Sequence, residues 1–422
     1  MNKFHKIKTV LLAAALSAMV FAQSEEGKGP KLRFSGDVLI NSAFETSKDS
    51  EYENKQEDGK TVEGEKKEVE GSKAKAFNTQ YGWNAAFGVD FNDAFSVDFR
   101  LSNPSGYGLD MLNFKNGSGI WESLPMLPNA YFTWKPGMFS LKGGLLEVSG
   151  NTTLDLVAGA ESEEGLWTYY WGWDAQYNAS QGGLQLGFEL SEGLALNLTA
   201  AMVSPTNELD AKTIYNEFRF ILDADIALGD MISLKPVFQS RSYWQQGSYT
   251  EEKDGKDTTY ETTPILLSYG ADVGIALSEE FNLDIGIAGG NATYEKSKGK
   301  DSESKTSGTA FLAKVAPSLT LGIVEIEAQY SFGLLNMPKN KSKTGSVEEA
   351  TKNTTIYHDI YLGAFFRVND NFAFGPMFNM PMSTDKTSSK VTGGTDAQNK
   401  DDKYRTDAWS AMRAGLEFSA SF

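Results

Sequence analysis

Apolar and polar residues alternate along most of this 422-residue chain, with a period of two. Between Phe95 and Leu101 the odd-numbered residues are Phe, Val, Phe and Leu, whereas the even-numbered ones are Ser, Asp and Arg. Successive side chains of a β-strand point to opposite faces, so the pattern predicts strands with one apolar and one polar face. The segments Phe281–Ile287 and Val324–Phe332 repeat it. The sequence therefore predicts an all-β chain.

Short clusters of Gly, Pro, Asn, Asp and Ser join pairs of these segments, as hairpin turns do. Seven such turns are predicted, at Asn92–Ala94, Lys135–Gly137, Ser191–Gly193, Ala227–Asp230, Ser278–Glu280, Gly322 and Asn369–Asn371. Eight long polar loops alternate with them, at Thr46–Ala76, Asn103–Asn129, Val148–Asp174, Ser204–Lys212, Ser242–Thr262, Lys296–Ser307, Asn336–Asn353 and Ser383–Tyr404. This alternation predicts sixteen strands, beginning near Leu32 and ending at Phe422.

The fold that these counts predict is a single antiparallel transmembrane β-barrel of about 16 strands, with short periplasmic turns and long extracellular loops. The predicted strands have about 10 to 15 residues, and a tilted strand needs roughly 9 to 11 to cross the bilayer. We expect the apolar face to meet lipid and the polar face to meet a water-filled lumen. Aromatic residues beside the short turns are typical of interfacial girdles: Phe91, Phe95, Trp134, Phe139, Phe366 and Phe372.

The first 22 residues have the features of a secretory signal peptide, because three lysines precede a short apolar core and Ala22 suits the cleavage rule. We expect residues 23–422 to form the mature barrel, in the outer membrane of a diderm bacterium. Cleavage leaves a net charge of about −20, which argues against nucleic acid as a partner. The absence of cysteine excludes disulfides and thiolate metal sites.

The final segment, WSAMRAGLEFSASF, ends the chain on Phe422 and places Phe418 and other apolar residues at alternate positions. This ending resembles the C-terminal assembly signal of bacterial outer-membrane proteins, which implies recognition by the barrel-assembly machinery. The whole predicted mature chain resembles the general porin superfamily, and its Lys- and Glu-rich loops also resemble those of spirochaetal barrels. The constriction-loop motif of enterobacterial porins is not visible in it. Because porins of this size are often trimers, the resemblance implies a homotrimer, although the sequence reveals no interface.

A sixteen-stranded barrel encloses a channel too wide for wall side chains to fill, so its function depends on what narrows it. In porins the third long loop folds inward. The third loop here carries the acids that we expect at the constriction: Asp155, Glu161, Glu163 and Glu164. The second long loop is the alternative candidate for infolding.

Strand parity also predicts which charged side chains line the lumen. The predicted lumen bases are Arg100, Lys142, Arg219, Lys235, Lys314 and Arg413. The predicted lumen acids include Asp98, Asp284, Glu325 and Glu327. Because acids are in excess, we expect passive diffusion of small hydrophilic solutes and ions with a weak cation preference.

Two other classes of function are compatible with a barrel. Outer-membrane enzymes usually need a histidine to activate a nucleophile or a water, yet His358 is the only histidine beyond the signal peptide, and Asp359 points to the opposite face. We therefore expect no enzymatic activity, and we expect no cofactor or metal. The alternative function is a surface-exposed adhesin or binding protein that displays long charged loops on a barrel.

Overall fold

The computed structural model describes residues 29–57, 60–68, 74–102, 126–146, 181–203, 217–243, 247–253, 256–262, 265–299, 302–344, 347–392 and 400–422. No helix in these ranges is long and apolar enough to cross a membrane. In chain order the strands are β1 (Lys31–Glu57), β2 (Lys60–Glu68), β3 (Ala74–Asn92), β4 (Phe95–Ser102), β5 (Met126–Trp134), β6 (Phe139–Leu146), β7 (Gln181–Ser191), β8 (Leu194–Val203), β9 (Glu217–Leu228), β10 (Ile232–Tyr243), β11 (Gly247–Lys253), β12 (Lys256–Thr262), β13 (Ile265–Ala276), β14 (Phe281–Gly299), β15 (Ser302–Leu321), β16 (Val324–Thr344), β17 (Val347–Asn369), β18 (Phe372–Thr392) and β19 (Lys400–Ser421).

Sixteen of these strands close into one antiparallel barrel, which confirms the predicted fold class. β1 pairs with β3, β10 pairs with β13, and the other barrel strands pair with their neighbours in sequence. β19 returns to pair with β1 and closes the circuit. β2, β11 and β12 form hairpins outside it. The end that carries the short turns is called the turn end below, and the other is called the loop end.

The C-terminal residue completes the barrel closure. Phe422 exchanges two backbone hydrogen bonds with Gly36, both of 2.9 Å, and its ring centroid lies 5.3 Å from that of Phe34. Phe418 contacts Phe374 on β18, with ring centroids 6.1 Å apart. The two aromatic residues of the predicted assembly signal therefore pack beside the closing strand pair. Their recognition by an assembly machinery stays a prediction.

The outer surface of the barrel is apolar. Large side chains such as Leu222, Phe238 and Ile287 face outward and are about half exposed. Near the turn end, aromatic rings contact each other across neighbouring strands with centroids 4.9–6.2 Å apart. Rings at this level match an interfacial girdle at the turn end of the apolar surface.

The short turns occur where the sequence predicts them. Four of them contain a glycine with a positive φ: Gly137, Gly193, Gly229 and Gly322, with φ of 108°, 85°, 67° and 62°. Glycine adopts these angles without a steric penalty because it has no Cβ atom. These glycines therefore specify the tight reversals between neighbouring strands.

The predicted long loops are wrong in extent at five places, because strands continue through most of their residues. Only residues 300–301 separate β14 from β15, and only 345–346 separate β16 from β17. The predicted loops Thr46–Ala76, Ser242–Thr262 and Ser383–Tyr404 likewise contain paired strands. Both faces of these extensions are rich in polar residues, so the alternation that reveals a membrane strand is missing. The predicted loops Asn103–Asn129, Val148–Asp174 and Ser204–Lys212 lie almost entirely outside the described residues.

The extensions lie on one side of the barrel. β4 to β8 have 8 to 11 residues each, whereas β14 to β19 have 19 to 23. At about 3.3 Å per residue, ten additional residues lengthen a strand by about 30 Å. We call the paired segments 48–57, 60–68, 302–308, 337–344, 347–353, 384–392 and 400–408 the crown.

Candidate pore lining

The strand register assigns each described side chain to the outer or the inner face of the barrel, since parity alternates along each strand. Among the predicted lumen residues, the inner face carries Arg100, Lys142, Lys235, Lys314, Arg413, Asp98, Asp284, Glu325 and Glu327. Arg219 lies in β9, and its side chain is outside the described set. Asp155, Glu161, Glu163 and Glu164 lie outside the described residues altogether.

Ion pairs occupy the lumen wall at the turn end. Arg33 on β1 contacts Asp90 on β3 at 3.0 Å and Asp98 on β4 at 2.8 Å. A side chain at position 88 would collide with this arginine, because a Cβ atom there would lie 2.7 Å from its Cζ. Gly88 thus leaves room for Arg33 to lie across two strands.

Three more ion pairs continue this layer around the turn end. The Nε of Arg367 donates a hydrogen bond to Glu325 at 2.6 Å, and Lys235 lies 3.9 Å from Asp225. Lys135, in a short turn, pairs with Glu189. Arg33, Lys135 and Arg367 are absent from the predicted lumen set. Strand parity alone could have assigned Arg33 and Arg367 to the inner face, but only the strand register shows which acidic side chains they contact.

Acidic side chains outnumber basic ones on the described inner wall. Further acids on this face are Asp37, Asp90, Glu189, Asp223, Asp225, Asp272, Asp359 and Glu417. In addition, the short turns carry Asp93, Glu192, Asp230, Glu279, Glu280 and Asp370 at the turn-end opening. The lumen wall and this opening are therefore acidic, even though the four turn-end bases pair with acids.

Lumen-facing side chains become more buried from the turn end towards mid-height. Along β10, Ser233 is exposed, Lys235 is half-buried and Val237 is 6% exposed. Along β14, Asp284 is exposed and Ala288 is buried. A cavity of about 650 Å³ opens at the turn end beside β7, β8, β9 and β10. Lumen-facing side chains are therefore accessible at the turn end and buried at mid-height.

One covered region of the inner wall is apolar. Leu146, Ala201, Ile221 and Val237 form a buried cluster on β6, β8, β9 and β10, with Tyr131 of β5 packed against it. The inner face was expected to be polar and wet throughout, and this cluster corrects that expectation. Lys142 borders the cluster, with its Nζ 5.8 Å from the centroid of the Tyr131 ring.

The covered region on the other side of the lumen is polar. Its members are at most 5% exposed: Asn41, Lys314, Ser331, Asp359, Asn379 and Arg413. Asn379 donates a hydrogen bond from Nδ2 to Oδ1 of Asp359 at 2.8 Å. These polar and charged side chains are buried, so this wall is a solvent-excluded polar region rather than an open water-lined surface.

His358 lies on the outer face of β17, while Asp359 lies on the inner face. The Nδ1 atom of His358 is 2.8 Å from the hydroxyl of Tyr330, and its ring centroid lies 5.4 Å from that of Phe332. Within the described part of the chain, no three His, Cys, Asp or Glu side chains are arranged to hold a metal ion. His358 thus belongs to the outer aromatic surface rather than to the lumen.

Comparison with protein-family models and with curated proteins gives no match. Among solved structures, an anion-selective porin from Comamonas acidovorans is 12% identical with a TM-score of 0.47, over 93% of this chain and 100% of that one. Outer-membrane expressed OmpT of Vibrio cholerae is 12% identical with a TM-score of 0.46, over 94% of this chain and 99% of that one. A mutant Rh. blastica porin is 10% identical with a TM-score of 0.38, over 92% of this chain and 100% of that one.

The strand pairing of this chain defines its fold class. It is a closed antiparallel barrel of sixteen strands, with an apolar outer surface and a charged inner wall.

Proposed function

We propose that the mature chain, residues 23–422, forms a channel in the bacterial outer membrane for passive diffusion of small hydrophilic solutes and ions. The observation that carries this proposal is the closed barrel whose inner wall is charged and whose lumen is open at the turn end. An apolar outer surface favours lipid as its surroundings. The short turns then face the periplasm, after export with a cleaved signal peptide.

We further propose that the segment 147–180 narrows the channel at mid-height. Wall side chains of a barrel this wide do not fill the lumen, so burial of Ile221 to 4% exposure and of Lys314 to 5% supports a covering layer. The segment starts directly after Leu146, which is a member of the apolar cluster. It carries Trp and Tyr residues suited to that cluster and acids suited to the basic groups of the other wall, but no Lys or Arg.

A weak cation preference is part of the same proposal. It is supported by the excess of acids on the described wall and by the acids of the segment, Asp155, Glu161, Glu163 and Glu164. Rings of carboxylates concentrate cations and repel anions in a narrow aqueous path. The five turn-end ion pairs weaken this field without reversing it, because acids remain in excess.

The reversal potential across a planar bilayer under a salt gradient tests both proposals. We expect the wild-type channel to favour cations, and the Glu161→Gln/Glu163→Gln/Glu164→Gln variant to lose much of that preference and change its conductance. The matched control, Asp93→Asn/Glu279→Gln/Asp370→Asn, removes the same charge from the short turns and should have a smaller effect. An anion preference in the wild type, or equal shifts in both variants, would contradict the assignment.

A non-catalytic role is proposed because the one histidine of the mature chain faces outward, away from the lumen acids. A surface-binding role is the second candidate function, and the crown favours it, since the paired polar strands present a broad ordered surface beyond the membrane. A folded barrel without conductance would favour that role. The homotrimer and the assembly machinery stay proposals, which cross-linking in native membranes would test.

A further inference from the structure

Three hairpins carry the same lumen-facing arrangement near the turn end. In each of them a glycine lies four residues before the first residue of a short turn: Gly88 on β3, Gly187 on β7 and Gly274 on β13. The strand register places a polar residue directly opposite each glycine on both neighbouring strands. These polar pairs are Arg33 with Asp98, Ser140 with Asn197, and Ser233 with Asp284. The same arrangement therefore occurs at one distance from the turns in three parts of the barrel.

Gly88 shows what the missing side chain allows. Neighbouring strands lie about 4.8 Å apart, so a residue on the middle strand normally separates the side chains of the two strands that flank it. Because Gly88 has no side chain, Arg33 extends across β3, and its Nη2 atom lies 2.8 Å from Oδ1 of Asp98. A Cβ atom at position 88 would lie 2.7 Å from the guanidinium carbon and 2.9 Å from that carboxylate oxygen. Both side chains thus lie over the glycine, along the wall.

The other two glycines are covered in a similar way. A Cβ atom at Gly187 would collide with Oγ of Ser140, and one at Gly274 would lie 2.6 Å from Oγ of Ser233. The amide or carboxylate oxygen on the other side of each glycine lies 3.1 Å and 3.2 Å from these two points. In all three hairpins the atoms that an added methyl group would displace belong to the ends of side chains. An alanine would therefore move polar groups and leave the strand pairing in place.

We propose that Gly88, Gly187 and Gly274 are positioning residues, which keep the turn-end opening of the lumen wide by holding polar side chains against its wall. This inference rests on the proposed channel and names residues on which its conductance depends. A polar group that leaves the wall narrows the aqueous path and presents its charge or dipole to passing ions. Gly183 differs from these three glycines, because a Cβ atom there would lie 2.6 Å from the backbone oxygen of Ala200.

Single-channel conductance of the refolded residues 23–422 tests the proposal. We expect the Gly88→Ala/Gly187→Ala/Gly274→Ala variant to conduct at least about twofold less than the wild type, because polar side chains on all three hairpins are displaced towards the ion path. Gly182→Ala is the control and should conduct like the wild type, since nothing lies within 4 Å of a Cβ atom there. Unchanged conductance of the triple variant would overturn the proposal.

A rescue variant distinguishes displaced side chains from a damaged sheet. Ser233→Ala removes the hydroxyl that Gly274→Ala would displace, and the Cβ atom of residue 233 lies 4.0 Å from the place of the added methyl group. We expect Gly274→Ala alone to lower the conductance, and Ser233→Ala/Gly274→Ala to recover most of the loss. An equal loss in both variants would mean that the glycine acts through the backbone, which contradicts a positioning role.

Thiol labelling tests the positioning role without the need for conduction. Ser140→Cys places a thiol beside Gly187, and the additional Gly187→Ala change should raise its rate of reaction with a water-soluble maleimide several-fold, as the thiol leaves the wall. Ser140→Cys/Gly182→Ala should react like Ser140→Cys alone. Faster labelling in a barrel that does not conduct would support the side-chain placement and contradict the channel. An unchanged labelling rate in a conducting barrel would overturn the positioning role and leave the channel standing.

Discussion

Arg33 illustrates how a single residue connects the first strands of the barrel. Its guanidinium reaches one carboxylate on β3 and one on β4, over the space that Gly88 leaves free. The pair is about half exposed, so water and salt weaken its contribution to stability. Its larger effect is electrostatic, because it neutralises acids at the turn-end opening of the lumen.

The Arg33→Gln variant is expected to shift the reversal potential towards cations, since Asp90 and Asp98 lose their shared counter-charge. Its stability should fall by no more than about 1 kcal/mol, the scale of exposed ion pairs. Lys31→Gln removes the same charge two residues away and serves as the control in both bilayer and urea-unfolding measurements. Equal shifts in the two variants would mean that the contact with Asp90 and Asp98 has no particular role.

A glycine in a short turn provides a second test at this scale. Gly322 has a φ of 62° and no atom near the place of a Cβ, so Gly322→Ala strains only the backbone. We expect urea unfolding to show a loss of about 1 kcal/mol. Gly182→Ala is the control, because that position also has open space and no positive φ. A similar effect of both substitutions would contradict the role of the left-handed conformation.

At the scale of strands and turns, the sequence predicts the membrane part well and the crown poorly. Each membrane strand meets lipid on one face, so apolar residues alternate, as in the segment between Phe95 and Leu101. A crown strand such as the end of β18, residues 384–392, has few apolar residues on either face. The pairing of this segment continues the register that is set in the membrane part of the strand. The local sequence has no pattern from which this register could be predicted.

The lining of the lumen could be predicted only in part for a related reason. Parity places Lys314 on the inner face, but whether water reaches it depends on what covers it. Likewise, Ile221 and Val237 interrupt the polar parity of β9 and β10. An apolar residue on a lumen face has no distinguishing local signal. Its burial follows from chain segments distant in sequence.

Thiol labelling tests whether the lumen-facing wall is buried at mid-height. The chain contains no cysteine, so an introduced cysteine is the only thiol that can react. Ser233→Cys and Val237→Cys place a thiol on the same face of β10, four residues apart. We expect a water-soluble maleimide to label the first rapidly and the second at least about tenfold more slowly, since a covered thiol needs local opening to react. Both should react alike in urea. Equal rates in the folded barrel would show that the lumen is open at mid-height.

At the scale of the whole molecule, three layers follow one another along the barrel axis. The turn end is an acidic opening with five ion pairs. At mid-height the lumen-facing side chains are buried, in an apolar region on one wall and a polar region on the other, and the crown rises on one side at the loop end. In the channel that we propose, ions enter from the turn end and are selected at mid-height.

Single-channel recording of the refolded residues 23–422 in a planar bilayer tests the central claim, which is that this barrel conducts. The account predicts discrete, reproducible conductance steps from protein that is folded by heat-modifiable gel migration, and a heat-unfolded sample should give none. A correctly folded barrel that inserts into the bilayer and remains silent would contradict the channel and leave the crown, as a binding surface, to explain the protein.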